Sequence, residues 1–565
     1  MTQVVGSQMS RASSFRHFLT FIAGLGGLLY GVDIGIVSAA LLYLDKTINL
    51  SVGQTSLIVA AVLAGSTCSS LVAGMLADWF GRRTMMTASG LLFVLSGALI
   101  AFSHSFTTLF LGRLIQGLSC GVIAVVVPLY LAESLSAKSR GRVSSIFQLM
   151  LTIGIVLASV VGWFYTRQAE GSIVAAHGNV LLIHAAQDHA WRSMFLSLIY
   201  PGLLFFAGSL FLSESPRWLF KRGRREEAFQ ALSRNSSEQE AELQIEEMTT
   251  LASQDEKEKS SGETGSLLQR RYVLPFLLAC VILMCNQATG INSILSYLVV
   301  ILKQAGMTAE RSTQLDFVLK LLNCIMTVVA VMLIDKKGRR FLLMIGSAGI
   351  IIALTTGAIT FRQAESKRTD MAAQVQAVVH NNAVDSNLKA FTTSSQPMEM
   401  MVSYNYGDGK KMAAVLSTEN NGALKIAPAD AKSRSLVIEH AWLGPIPSER
   451  SGNLIALCIA FFIASFAVGP GVVVWLTLSE LMPMRIRSNG MGIALLLNQG
   501  VSTAIAGVFL PVTGSYGYAA MFGFWALCTV VYFLTAVFFL PETKGKTLEE
   551  IEMSFRGNDK NLQAS

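Results

Sequence analysis

Two ionisable residues sit where ionisable residues are expensive. Asp33 interrupts the run Phe21–Leu44, which is otherwise free of charge, and Arg113 lies in a later apolar run, Gly112-Arg113-Leu114-Ile115-Gln116-Gly117. A charged side chain inside a bilayer costs about 2.5–3.5 kcal/mol on insertion scales, so such residues usually pair and usually serve function. A buried acid beside a buried base can alternate between an ion pair and a protonated carboxyl, so proton handling is the chemistry predicted. The plainer reading is a structural ion pair that ties two helices together. A second set consists of neutral amides in apolar surroundings: Gln148, Asn286, Gln287, Asn292, Asn323, Asn498 and Gln499. Each carries a donor and an acceptor on one side chain. That suits the hydroxyls of a neutral polyhydroxylated solute better than a charge would. Trp475 offers an apolar face for the C–H side of a sugar ring. A single amide would more simply be glue between helices; this number, mostly in the second half of the chain, predicts a binding site.

The elements that must position these groups are membrane spans. The chain has 565 residues, of which 52% are hydrophobic and only 14% charged, against about 25% charged in soluble domains. Its mean hydropathy is +0.51. Apolar stretches long enough to cross about 30 Å of hydrocarbon fall at 18–43, 55–77, 84–102, 107–131, 143–165, 193–212, 271–302, 315–334, 341–361, 453–478, 488–510 and 517–540. Helices are expected, because backbone groups in lipid must be satisfied within their own segment. The fold class is therefore an all-α membrane protein with twelve spans. Lys and Arg concentrate in the loops after the even-numbered spans, which places those loops and both termini in the cytoplasm. The polar N-terminal stretch MTQVVGSQMSRASSFRHF is not a signal peptide. The net charge of +8 follows from this loop bias and is scattered, which argues against a nucleic-acid partner. All seven Cys fall in apolar spans, and no Cys/His spacing is that of a metal site. No cofactor is expected.

The two halves of the chain repeat one pattern. Span two is followed by Asp78, Gly81, Arg82 and Arg83, and span eight by Asp335, Gly338, Arg339 and Arg340. Span four ends at Glu133 with Arg142 behind it; span ten ends at Glu480 with Arg485 and Arg487 behind it. Spans six and twelve end in Glu214-Ser215-Pro216-Arg217-Trp218 and Pro541-Glu542-Thr543. The glycines permit tight turns. The charges can pair across the cytoplasmic face, each exposed pair being worth only ~0.2–1 kcal/mol, which suits a gate that must open. The alternative is topology signalling alone. Two repeated six-span lobes imply a solute site between them near the midplane. The organisation read from this is an N-terminal lobe over 1–213, a cytoplasmic helical linker over 214–270, and a C-terminal lobe over 271–565 with an outer-face insertion at 362–451. Composition leaves that insertion open between a small folded domain and disorder. Asp316 and Lys320, four apart in span eight, are expected to pair and to snorkel outward, or else to shape the outer vestibule.

In this order and spacing the motifs resemble the sugar porter branch of the major facilitator superfamily. They are Gly74-x-x-x-Asp78-x-x-Gly81-Arg82-Arg83, Pro128-x-Tyr130-x-x-Glu133 with Arg140-Gly141, Glu214-Ser215-Pro216-Arg217-Trp218, Gln287-x-x-Gly290-Ile291-Asn292 and Pro541-Glu542-Thr543-Lys544-Gly545. The resemblance covers nearly all of the membrane portion. It implies alternating access between two six-helix lobes and sugar contact by Gln148, Gln287, Asn292, Asn323, Trp475 and Asn498. Asp33 matches the acid of the family's proton symporters and Arg113 its partner. Leu198 stands where some bacterial proton symporters carry a further acid. Asn286, Ser296 and Gln499 stand where Gln, Tyr and, in several members, Trp are usual, so the identity of the sugar stays open.

The expectation is a proton-coupled symporter, not an enzyme, for a neutral monosaccharide in the inner or plasma membrane. Its alternatives are a myo-inositol or polyol–proton symporter, a facilitative uniporter and a transport-dead sugar sensor. The partners expected are a small neutral sugar or polyol, protons and the lipid bilayer.

Overall fold

The computed structural model describes the chain apart from residues 1, 135–136, 235–237, 261–269, 393, 395, 408, 418–421, 428–434, 483–486 and 543–565, and apart from the side chains of 2–13, 137–145, 238, 251–260, 270–272, 335, 475–476, 479–480 and 487–489. The first half is built from α1 (Thr2–Thr47), α2 (Val52–Phe80), α3 (Arg82–Ala101), α4 (Phe106–Ser134), α5 (Ala137–Ala175), α6 (Val180–Ser197) and α7 (Ile199–Ser209). Two short helices, α8 (Pro216–Lys221) and α9 (Arg225–Ser233), and the longer α10 (Glu238–Ser260) follow and share a small apolar core around Leu219, Leu232 and Ile245. The second half contains α11 (Arg270–Ala288), α12 (Ile291–Gln304), α13 (Ala309–Lys337), α14 (Arg339–Glu365), α16 (Glu449–Val468), α17 (Pro470–Leu481) and α18 (Arg487–Phe538), with α15 (Ala372–Ala377) in the insertion.

Eleven helical stretches among the described residues are long and apolar enough to cross a membrane. The last, Gly490–Phe538, has 49 residues, and at Gly517 its backbone turns to φ 84°. It therefore crosses twice, which gives twelve spans in two sets of six. Three spans are broken midway: α6/α7 at Leu198, α11/α12 at Thr289–Gly290 and α16/α17 at Gly469–Pro470. Gly290 has φ 86°, and a Cβ there would lie 2.3 Å from the Trp525 indole. Only glycine meets both demands, the left-handed backbone and the close approach of the ring.

The two turns read as a repeat share one construction. Gly81 and Gly338 have φ 94° and 89° and separate α2 from α3 and α13 from α14. The Glu214 carboxylate accepts from the Arg82 and Arg83 amides at 2.7 and 3.0 Å, and Glu542 accepts from the Arg339 and Arg340 amides at 3.0 and 3.2 Å. Each acid thus satisfies the unpaired first N–H groups of the next helix and complements its positive end. A Cβ on either glycine would strike that carboxylate.

The insertion, left open between domain and disorder by composition, is a folded β-domain. Its four-stranded antiparallel sheet has the order β1 (Thr369–Asp370), β6 (Val437–Pro445), β3 (Met398–Asn405), β4 (Lys410–Leu416); β2 (Val384–Asn387) and β5 (Ala423–Ile426) form a second pair. Val375, Val384, Met400, Val402, Leu424 and Leu443 fill its core. The all-α description therefore holds for the membrane portion and stops at this domain. It sits on the face opposite the Gly81 and Gly338 turns. Gln304 donates to Glu399 at 3.5 Å, and Lys410 approaches Ser515 at 3.3 Å.

Candidate functional site

Asp33 and Arg113 meet. Arg113 Nη1 donates to Asp33 Oδ1 at 2.6 Å and to Gln116 Oε1 at 2.8 Å, joining α4 to α1. The pair is 1% and 2% exposed. The Cys120 thiol lies 3.9 Å from Asp33 Oδ2, and the guanidinium lies 5.5 Å from the Phe195 ring. Arg113 Nε and Gln116 Nε2 are buried without a partner. The ion pair is single-pronged, with donors to spare, so it can be remade as helices shift. Gln116 and Cys120 were not read from the sequence. Their spacings of three and seven from Arg113 put them on its helical face, and that was the available signal.

The amides assemble at the breaks of α11/α12 and α16/α17. Asn286 donates to the Pro470 carbonyl at 3.1 Å, so the amide at one break is tied to the backbone at the other. Asn498 donates to the Leu283 carbonyl at 2.9 Å and accepts from Gln287 Nε2 at 3.3 Å. Asn292 Nδ2 donates to Gln287 Oε1 at 3.0 Å and to Ser502 Oγ at 2.8 Å. These bonds use both N–H groups of Asn292 but only one on Gln287, and they leave the Asn292 carbonyl oxygen for a solute. Asn286 and Asn498 are only 2% and 0% exposed and each donates to a backbone carbonyl, whereas Gln287 and Asn292 keep some exposure.

Gln148 on α5 is exposed and Asn323 on α13 half-buried. Gln499 lies beside the Tyr30 hydroxyl of the opposite half. The Trp475 side chain lies outside the described residues.

The residues read as a gate divide. Arg82 forms a two-pronged bond with Glu133, both distances 2.8 Å, and pairs with Asp78 at 2.7 Å. Ser215 also donates to Glu133. Arg83 donates to the Leu210 carbonyl at 2.6 Å, and Arg340 makes the matching bond to Val537. These contacts lie within one half of the chain, so they brace a lobe internally. Arg217 is exposed. The side chains of Arg142, Asp335, Glu480 and Arg487, and Arg485 altogether, lie outside the described residues.

Asp316 and Lys320 do not reach outward. They pair at 2.8 Å, as their spacing predicts, but are 1% and 0% exposed. The reason is that α1 covers them: Lys320 donates to the Gly35 carbonyl at 2.9 Å and to Ser38 at 2.7 Å.

The profile of the family described as "Sugar (and other) transporter" matches residues 19–380 and 437–555. The chain belongs to the sugar (and other) transporter family. The unmatched stretch 381–436 lies inside the β-domain. Among this transporter's relatives, the human proton myo-inositol cotransporter is 30% identical over 97% of this chain and 83% of its own length. The arabinose-proton symporter of Bacillus subtilis is 27% identical over 96% of each. The inward-open xylose transporter XylE from E. coli superposes with a TM-score of 0.66 at 23% identity, covering 95% of this chain and 98% of that one. The transporter thus has the major facilitator fold in a multi-pass membrane protein.

Proposed function

We propose that this transporter carries a neutral monosaccharide together with a proton across the cell membrane, by alternating access between its two lobes, with the Gly-turn face and both termini in the cytoplasm. The observation that carries the reading is the buried Asp33–Arg113 pair, set in the helix α1 that packs between the two lobes. Arginine favours the carboxylate and desolvation favours the neutral acid, so a shift of α1 against α4 changes which form wins. Gln287, Asn292, Asn323, Gln148 and Gln499 take the solute in this reading; Asn498 holds the first of these in place, and Asn286 ties the α11/α12 break to the α16/α17 break. The arabinose and myo-inositol carriers among the relatives, both named as proton-coupled, support the same substrate class. The cyclic polyol is the second reading, because an amide cluster with spare donors and acceptors serves either ring. Proton uptake from weakly buffered medium, followed on addition of hexoses, pentoses and inositols, tests it. The substrate should alkalinise the medium. Uptake of a sugar without alkalinisation would make the protein a uniporter.

A further inference from the structure

The Asp316–Lys320 pair has no part in the solute or proton reading, yet it is among the most completely buried ion pairs in the molecule. All three ammonium protons of Lys320 are spent. One goes to Asp316 Oδ2 on its own helix at 2.8 Å, and two cross to the other lobe, to Ser38 Oγ at 2.7 Å and to the Gly35 carbonyl at 2.9 Å. Ser38 closes the ring, with its hydroxyl 3.1 Å from Asp316 Oδ1. Other contacts between the lobes lie nearby. Trp163 stacks on Phe317 with centroids 6.2 Å apart, Thr152 receives the Cys324 thiol at 3.5 Å, and Ser56 receives the Leu510 amide at 3.3 Å. The Trp163–Phe317 and Ser56–Leu510 contacts use the parts of their helices nearer the β-domain, so the lobes are shut on that face, while Thr152–Cys324 lies deeper, toward the midplane.

We infer that Asp316 and Lys320 are positioning residues of the transport cycle: a charged latch that fastens α1 to α13 when the β-domain face closes. Gly35 is two residues beyond Asp33, so the latch grips the segment of α1 that carries the buried acid. Opening that face must withdraw Gly35 and Ser38 from Lys320. The ammonium then keeps only Asp316, and water entering the vestibule takes the two vacated positions. Buried, the pair is fully bonded only with the lobes together; wet, it survives alone. It thereby favours closure without forbidding opening, which two apolar residues could not reverse as readily. Lys320 is specified over a shorter donor because it must reach three acceptors on two helices.

The inference rests on the transport reading for its meaning but not for its test. Spin labels at exposed Ser105 and Arg311, one on each lobe at the β-domain face, report the distance between lobes without substrate or proton gradient, in protein whose exposed Cys68 is replaced by Ser. In the paired neutral variant Asp316→Asn/Lys320→Met the population should move toward longer distances, with an open-to-closed ratio raised roughly tenfold or more, as expected for losing hydrogen bonds to a charged group. In uptake assays the same variant should show a lower KM from the β-domain side and a lower maximal rate, since more protein waits open and less closes. Ser38→Ala, which leaves no buried charge unpaired, should shift the distances the same way by less, and it serves if the neutral pair does not fold. The exchanged pair Asp316→Lys/Lys320→Asp keeps an ion pair on α13 but sets a carboxylate against the Gly35 carbonyl, so it should not restore closure. Wild-type distances in both the neutral pair and Ser38→Ala, or an exchanged pair that closes like wild type, would overturn the latch. A protein that transports nothing yet shows these shifts would overturn the transport reading alone.

Discussion

Gln287 and Asn286 are adjacent in sequence and alike in chemistry, and the structure gives them different work. Gln287→Ala removes an amide with one N–H and part of its carbonyl uncommitted, and so removes a partner for a sugar hydroxyl. An unsatisfied buried hydroxyl costs about 1–3 kcal/mol, which at 1.4 kcal/mol per decade is a rise of roughly five- to 150-fold in Kd. It also frees the Oδ1 of Asn498, a residue with 0% exposure, so a stability loss of about 1 kcal/mol should accompany it. Asn286→Ala removes an amide already spent on Pro470, 3.1 Å away across two helix breaks. It should cost about 1 kcal/mol of stability through the lost hydrogen bond while moving Kd less than about threefold, because Asn286, at 2% exposure, is closed to the solute. Calorimetric titration of purified protein with its sugar, paired with thermal unfolding in the same detergent, separates the two quantities. Unchanged Kd in Gln287→Ala, or equal loss of affinity in both variants, would refute the division between contact and support.

Other consequences can be checked singly. Gly81→Ala and Gly338→Ala should each lower the unfolding temperature, and more than Ala at an unstrained helical glycine does, because the new Cβ meets the Glu214 or Glu542 carboxylate at 2.4 or 2.7 Å in a left-handed backbone; equal melting temperatures would show that the turns can relax. Replacing 369–443 by a short Gly/Ser linker should preserve folding and uptake, since Thr369 pairs with Leu443 and the cut ends lie side by side; loss of uptake at normal surface levels would give the β-domain a direct part in transport. Burial pushes the Glu399 carboxyl above the ordinary range, against the pull of Arg368 and Lys303. The folded domain therefore keeps a proton that the unfolded chain releases at about pH 4.3, so its stability should fall as pH rises from there through the raised folded value. Hydrogen exchange of the β3 and β6 amides should show that slope, and Glu399→Gln should flatten it.

The spans were legible because twenty apolar residues in a row have few other uses, and Asp33 and Arg113 because charge in such runs is rare. The breaks at Gly290 and Gly469 were not legible: a glycine in an apolar helix reads alike whether it bends the chain or admits a neighbour, and here the neighbour is Trp525, far along the sequence. The roles of Glu214 and Glu542 as helix caps escaped for the same reason, since the chain returns from four spans away to reach the first amides after each glycine turn. The spacing of Asp316 and Lys320 predicted their pairing, but not their burial. The acceptors that draw Lys320 inward are a backbone carbonyl and a serine on α1, and neither stands out in sequence. The β-domain escaped because its sheet depends on β6 returning past β4 and β5 to pair with both β1 and β3, a distant pairing that no local pattern announces.

Proton coupling through Asp33 is the claim on which the functional account turns. The most direct measurement is the steady-state accumulation ratio of the transported sugar in proteoliposomes under an imposed inward proton gradient, for wild type and Asp33→Asn side by side. The account predicts that wild type concentrates the sugar well above equilibrium, whereas Asp33→Asn brings it only to equilibrium while still exchanging labelled for unlabelled sugar. Accumulation by Asp33→Asn equal to that of wild type would contradict it.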